Sequence, residues 1–347
     1  MKTNATKTNG HETLTSKDFA SDQDVRWCPG CGDYTILKQV QKLMPDIGVP
    51  RENIVFVAGI GCSSRFPYYM DTFGMHSIHG RAPAIATGLK ATRPELSVWV
   101  ITGDGDSLSI GGNHLIHALR RNIDVNILLF NNEIYGLTKG QYSPTSRPGA
   151  VTKSTPMGSL DAPFNPASLA LGANAGFFAR AMDRDPKHMQ EIMRRSHEHT
   201  GTSLVELYQN CIVFNDGAFE VYTDKQRRND TSLYLEHGKP LRYGKELSKG
   251  IRLDGMRPEA VRLGDTFSES DLWIHDENDH MKAYLLSRFF EDNRVAENLP
   301  RPFGVFYADE RPTYDAVFNG QIHQAKAAHG EADLDALLAG SETWEVK

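Results

Sequence analysis

The chain has 347 residues, 39% hydrophobic and 24% charged, with 38 Lys and Arg against 44 Asp and Glu, a formal net charge of −6. This length allows one large or two modest domains with a sizeable core. No stretch approaches the ~18 apolar residues of a membrane helix, and an acidic balance without any Lys/Arg-rich run leaves no nucleic-acid footprint.

Residues 1–24 are polar and lack the apolar core of a secretory signal, so they are predicted to be a flexible lead-in. The next segment reads WCPGCG over residues 27–32. Asp33 can then cap a helix whose apolar positions Ile36, Leu37, Val40, Leu43, Met44 and Ile47 recur at helical spacing. The Cys28-x-x-Cys31 pair alone fits a thioredoxin-like redox pair or half of a zinc site equally well. Four cysteines in a chain this long make no disulfide scaffold and favour a reducing, cytoplasmic setting.

Ile54 to Ala58 is a predicted strand running into Gly59-Ile60-Gly61-Cys62-Ser63-Ser64-Arg65. His79, Gly80 and Arg81 precede a helix opening near Pro83, a favoured first-turn position whose free N–H groups suit an anion. Val98 to Ile101 is a buried strand ending on Gly103, followed by Asp104-Gly105-Asp106. A helical segment with Leu115, Ile116 and Leu119 on one face leads to a second strand, Val125 to Phe130, and to Asn131-Asn132. Ligands bind outside the carboxyl ends of such parallel strands. Glycines admit a phosphate there, and Asp104 and Asn132 offer hard oxygen ligands for Mg²⁺. The following loop, through Gly136, Leu137 and Thr138, is expected to wrap a diphosphate. The spacing of GDG, 25 residues and NN resembles the thiamine diphosphate fingerprint, in which Asp104, Asn132 and the carbonyl of Ile134 would hold the metal.

Residues 143–165 are rich in Pro, Gly, Ser and Thr and read as a long ordered loop, a class that is usually functional. Asn165-Pro166 and Asp185-Pro186 each read as a helix cap followed by a first-turn proline. Leu204 to Tyr208 is a further strand, and Cys211 follows it. Cys62 and Cys211 would both lie on the ligand-binding edge, so three segments bring four thiols towards one rim. Four thiolates suit zinc or an iron–sulfur cluster, and a neighbouring thiamine site gives a redox centre a purpose. From residue 221 the charge density rises, and no further chemistry is legible.

Taken in order, WCPGCG, GIGCSSR, HSIHGRAPAIATG, GDGDSLSIGGNH, NNEIYGLTKGQYSPTS and YQNC resemble the β subunit of the 2-oxoacid:ferredoxin oxidoreductases, most of all the 2-oxoglutarate type. The resemblance spans about residues 25–220. It implies a doubly wound, mostly parallel α/β domain of the thiamine diphosphate-binding fold over 25–220; the change of texture makes 221–347 a C-terminal extension or small subdomain, expected at a subunit interface. It implies one [4Fe–4S] cluster on Cys28, Cys31, Cys62 and Cys211. Cofactor contacts would come from Ile60, Gly61, Cys62, Ser63, His79, Gly103, Asp104, Gly105, Asp106, Asn132, Ile134, Gly136, Leu137 and Thr138. His79 and Arg65 would be the catalytic side chains, with Arg65 gripping the distal carboxylate of 2-oxoglutarate. The implied reaction converts 2-oxoglutarate and CoA to succinyl-CoA and CO₂ and passes electrons to ferredoxin. An α subunit would complete the site in an αβ or (αβ)₂ assembly. The competing readings are the same chemistry on pyruvate or another 2-oxoacid, a non-redox thiamine decarboxylase or synthase, and a zinc-stabilised binding module.

Overall fold

A computed structural model describes residues 14–289, 299–344 and 346. Its centre is an eight-stranded sheet of β1 (Ile54–Ala58), β2 (Phe73–His76), β3 (Ser97–Gly103), β4 (Asn126–Asn131), β5 (Phe177–Met182), β6 (Ser203–Tyr208), β7 (Ser232–Tyr234) and β8 (Arg301–Ala308). The spatial order is β2-β1-β3-β4-β6-β5-β8-β7. The six strands from β2 to β5 in that order pair in parallel, and β8 adds antiparallel to β5 with a bulge between Val305 and Tyr307. The predicted strands at 54–58, 98–101, 125–130 and 204–208 are all present, so the expected doubly wound, mostly parallel α/β fold is found.

The strands are apolar on both faces because both are covered. Val55, Val57, Val98, Val100, Ile127 and Leu129 share one core with α2 (Ala82–Thr92), α3 (Gly112–Arg121) and α4 (Pro166–Gly172). Phe56, Ala58, Trp99, Ile101 and Leu128 share the other with α1 (Asp33–Leu43) and α5 (Pro186–Glu198). The caps behave as the sequence suggests at α4, where Asn165 accepts from Ser168 N–H at 3.1 Å, and at α5, where Asp185 accepts from His188 N–H at 3.2 Å. At α1 the expectation fails. Gly32 is the N-cap residue, and the Asp33 side chain is buried instead of capping.

Two boundaries differ from the sequence reading. The lead-in expected over 1–24 lies outside the described residues up to 13. From 14 it docks: Phe19 is fully buried, Ala20 bridges to Met70, and Arg51 donates to the Asp18 carbonyl. One large aromatic in the core is enough to anchor a polar segment. Beyond 220 the chain re-enters the sheet as β7 and β8, and Leu233, Leu241, Ile251, Trp273 and Phe306 join the α2/α3-side core. A cut at 220 therefore divides one hydrophobic core. The rest of this region includes a small antiparallel sheet (242–243, 249–254 and 257–262), α6 (His280–Ser287), the largely exposed α7 (Tyr314–His329) and a short exposed C-terminal helix, α8 (Leu334–Ala339). No helix among the described residues is long and apolar enough to cross a membrane.

Candidate active site at the carboxyl edge of the sheet

The sheet ends β1, β3, β4 and β6 on the same edge; Gly103 closes β3, and the other sequence-predicted site residues between 60 and 138 follow one of these strands or lie in the β2–α2 turn. Asp104, one residue past β3, is buried. Its Oδ2 accepts from Ser143 Oγ and Thr145 Oγ1, both at 2.5 Å. Thr145 Oγ1 also lies 2.9 Å from Asn131 Oδ1, and Asn131 donates to Glu206 at 2.8 Å. Glu206 in turn pairs with Arg180 at 2.7 Å in the core. Ser146 ties the same turn to the Glu133 carbonyl. The SPTS turn thus joins the GDG segment to the NN segment through buried hydroxyls.

No Lys or Arg among the described residues pairs with Asp104, and burial pushes its carboxyl up to about 6 despite the two hydroxyl donors. A buried carboxylate whose only partners are neutral is suited to a bound cation. Gly105 is demanded by packing against this edge. A Cβ there would stand 2.1 Å from the Tyr135 ring, whose hydroxyl donates to the Gly105 carbonyl at 3.1 Å, so only glycine permits this approach. Gly103 carries no close neighbour, its nearest being Ser63 Oγ at 3.5 Å from a built Cβ. The residues present therefore fit Mg²⁺ and a diphosphate, with Asp104, Asn132 and the Ile134 carbonyl as the candidate donors.

Asp106 takes a different part from the one expected. Its Oδ1 accepts from Ile60 N–H at 3.1 Å and Gly80 N–H at 2.7 Å and lies 2.6 Å from His79 Nδ1, while Oδ2 accepts from Thr102 at 2.6 Å. These contacts lock three loops together. His79, partly exposed, meets the edge of Tyr135 at a ring distance of 6.5 Å.

All four cysteines are free and line one cavity of ≈270 Å³ with Arg65, Asn132, Gly136 and Leu137. A Cβ on Gly136 would lie 3.5 Å from Cys211 Sγ and 3.6 Å from Cys62 Sγ, close against both sulfurs. Burial, reinforced by the Asp33 carboxylate, raises the Cys31 thiol well above its ordinary value and pushes Cys62 up to about 12; burial raises Cys211 too. Thiolates in this setting need a metal to stabilise their charge, and the four-sulfur donor set fits a cluster. Beneath them Asp33 is driven up to about 7 by burial, with the Asp183 carboxylate adding repulsion.

Gly136 and Leu137 border the sulfur cavity, and Thr138 is exposed, bonded to Gln141. Arg65 lies on the sulfur cavity with its Nη1 donating to the Arg26 carbonyl at 2.9 Å. The sequence reading missed Ser143, Thr145 and Gln209. A run of three hydroxyl residues around Pro144 is the one local signal that marks a side-chain-to-backbone turn.

Residues 59–207 match the family described as thiamine pyrophosphate enzyme, C-terminal TPP binding domain. The chain is 53% identical over 334 residues to the 2-oxoglutarate oxidoreductase subunit KorB of Mycobacterium tuberculosis, covering 95% of this chain and 88% of the relative. It is 35% identical over 301 residues to the 2-oxoacid:ferredoxin oxidoreductase subunit beta of Saccharolobus solfataricus, covering 85% and 92%. A solved 2-oxoglutarate:ferredoxin oxidoreductase from Magnetococcus marinus, with 2-oxoglutarate, coenzyme A and succinyl-CoA bound, superposes with a TM-score of 0.75 at 32% identity, over 96% of this chain and 98% of that one. Edge geometry, buried donors and likeness along nearly the whole length agree, and the chain belongs to the family of 2-oxoacid:ferredoxin oxidoreductase β subunits.

Proposed function

We propose that this chain, with an α subunit, oxidatively decarboxylates 2-oxoglutarate in the presence of CoA, yielding succinyl-CoA and CO₂ and releasing two electrons singly to ferredoxin. The observation that carries this reading is one cavity lined by four thiols and by Asn132, a candidate Mg²⁺ ligand. Bound thiamine diphosphate supplies the carbon nucleophile for decarboxylation, and a [4Fe–4S] cluster supplies one-electron transfer. Asp104, Asn132 and the Ile134 carbonyl hold Mg²⁺ and through it the diphosphate. Cys28, Cys31, Cys62 and Cys211 hold the cluster, which is why a non-redox thiamine enzyme and a zinc module are the weaker readings. His79, held beside Asp106, would serve at the cofactor's reacting end, and Arg65 would pair with the substrate's distal carboxylate. Arg26, Arg65 and Lys139 around the sulfur cavity favour an acidic electron carrier at its mouth.

Partner contact is supported by apolar side chains left in the open. Phe73, Met75 and Ile78 sit on and beside the unpaired edge strand, and Val317, Leu334, Leu337 and Leu338 on the C-terminal helices. The proposal takes the complex to be an αβ or (αβ)₂ assembly in the cytoplasm, with residues 221–347 contributing part of the interface.

The test is anaerobic co-purification with the partner and an assay of 2-oxoacid- and CoA-dependent viologen reduction. Reduction with 2-oxoglutarate and not pyruvate supports the proposal and the role of Arg65. Equal rates on pyruvate would move the substrate assignment. No reduction by a thiamine- and iron-replete complex would overturn the redox reading.

A further inference from the structure

Gln209 follows directly after β6 and is 1% exposed. Its backbone N–H continues the ladder to the Asn131 carbonyl at 2.9 Å, which fixes where its side chain starts. The side chain reaches in two directions. Oε1 accepts from Asn132 Nδ2 at 2.8 Å, and Nε2 lies 3.3 Å from Cys31 Sγ and 2.6 Å from the Asn210 carbonyl.

The orientation of both amides follows from donors that cannot be reversed. Ile134 N–H donates to Asn132 Oδ1 at 3.2 Å, so the other arm of Asn132 is its NH₂ group. That NH₂ requires an acceptor, which makes the facing atom of Gln209 its oxygen and leaves the Gln209 NH₂ for Cys31 and Asn210. Both of its protons are then used, one on a carbonyl and one on sulfur.

We propose that Gln209 is a positioning residue linking the two centres: it holds Asn132 in the rotamer that presents Oδ1 to Mg²⁺, and it donates an N–H···S bond to the cluster ligand Cys31. This rests on the reading of Asn132 and Cys31 as ligands. A donor to a cluster sulfur stabilises the more negative, reduced cluster and raises its potential. An acceptor behind a metal ligand fixes the ligand's orientation, and removing such a partner typically weakens metal affinity about 10–100-fold. One buried amide thus acts on electron acceptance and on cofactor anchoring together.

Two variants separate these effects in the anaerobic complex with its partner subunit. Gln209→Leu removes donor and acceptor, whereas Gln209→Glu keeps an acceptor for Asn132 and loses the donor to Cys31. Iron content, the midpoint of the cluster by EPR-monitored titration, and Mn²⁺ (as a stand-in for Mg²⁺) affinity in the presence of thiamine diphosphate are measured for each. With iron at the wild-type level, both variants should show a reduction equilibrium about tenfold less favourable, 59 mV for a one-electron couple. Mn²⁺ affinity should fall about tenfold in Gln209→Leu and stay within about twofold of wild type in Gln209→Glu.

Wild-type midpoints in both variants, with full iron, would overturn the link to Cys31. Equal loss of Mn²⁺ affinity in both would overturn the link to Asn132. If Gln209→Leu does not assemble, the isosteric Gln209→Glu decides alone, since a wild-type midpoint there refutes the donor role and a weakened Mn²⁺ site refutes the acceptor role. A Cys31→Ala variant that keeps an intact cluster would instead remove the underlying ligand assignment.

Discussion

Oδ1 of Asp106 lies 2.6 Å from Nδ1 of His79. The same carboxylate gathers the backbone N–H groups of Ile60 and Gly80 and the hydroxyl of Thr102. Asp106→Ala strands these donors, and stability should drop by roughly 3 kcal/mol, carried by the buried bonds and little by the half-exposed His79 contact. Asp106→Asn keeps an acceptor for the Ile60 and Gly80 N–H groups and turns its NH₂ towards Thr102, whose hydroxyl can accept, so it should lose clearly less. Urea melts decide it: an alanine variant within about 0.5 kcal/mol of wild type, a surface-substitution effect, would mean the three loops are held by something else.

Ser143 and Thr145 converge on one oxygen of Asp104, which leaves the other for a metal. Thr145→Val combined with Ser143→Ala should weaken Mg²⁺-dependent thiamine diphosphate binding by roughly tenfold or more without changing iron content. Thr145→Ser should restore most of it. Calorimetric titration of the reconstituted complex checks this, and unchanged affinity in the double variant would show that Asp104 needs no such support.

Burial lowers the pKa of His188, His197, His199 and His275 below the ordinary 6.5. Between the folded and unfolded pKa values the unfolded chain binds more protons, so the slope of stability with pH is positive there. The histidines therefore cost nothing above 6.5 and destabilise the fold progressively as pH falls below it. His275, 1% exposed with Nε2 2.8 Å from the Val305 carbonyl, contributes to this slope. Denaturant midpoints at several pH values between 7.5 and 5 should decline, and the decline should be shallower in His275→Asn. An equal slope in that variant would remove His275 from the account.

The outer edge of the sheet is unusually bare. Every residue of β2 is exposed, with Phe73 at 62%, and Ile78 and Ile110 beyond it stand at 75% and 56%. An unpaired apolar edge beside a cofactor site invites a covering chain. Phe73→Asp with Ile78→Asp should abolish co-elution with the partner subunit while leaving the melting temperature of the isolated chain within a few degrees. Retained co-elution would place the contact on another face, the C-terminal helices being the next to vary.

The parts legible in the sequence share a short range. GDG and NN announce themselves because each follows directly on an apolar run of strand length, and a parallel strand delivers its next residue to the ligand edge whatever else surrounds it. Four strands, the α4 and α5 caps and the shared edge of the four thiols follow from that logic. Asp33 was misread because a carboxylate at a helix start ordinarily caps it, while here the cysteine turn already occupies the position and buries the side chain.

By itself the sequence determined the fold class and the cofactor motif, since periodicity and spacing are local and survive any packing, and the resemblance of its motifs implied the family. Only the tertiary structure decided which side chains meet. Thr145 reaches Asp104 across 41 residues, Gln209 reaches Cys31 across 178, and β8 inserts between β5 and β7 from beyond residue 300. Such contacts depend on how the strands stack and on which polar groups remain unpaired once water is excluded. A buried donor takes the nearest acceptor in space, and that pairing leaves no period in the chain.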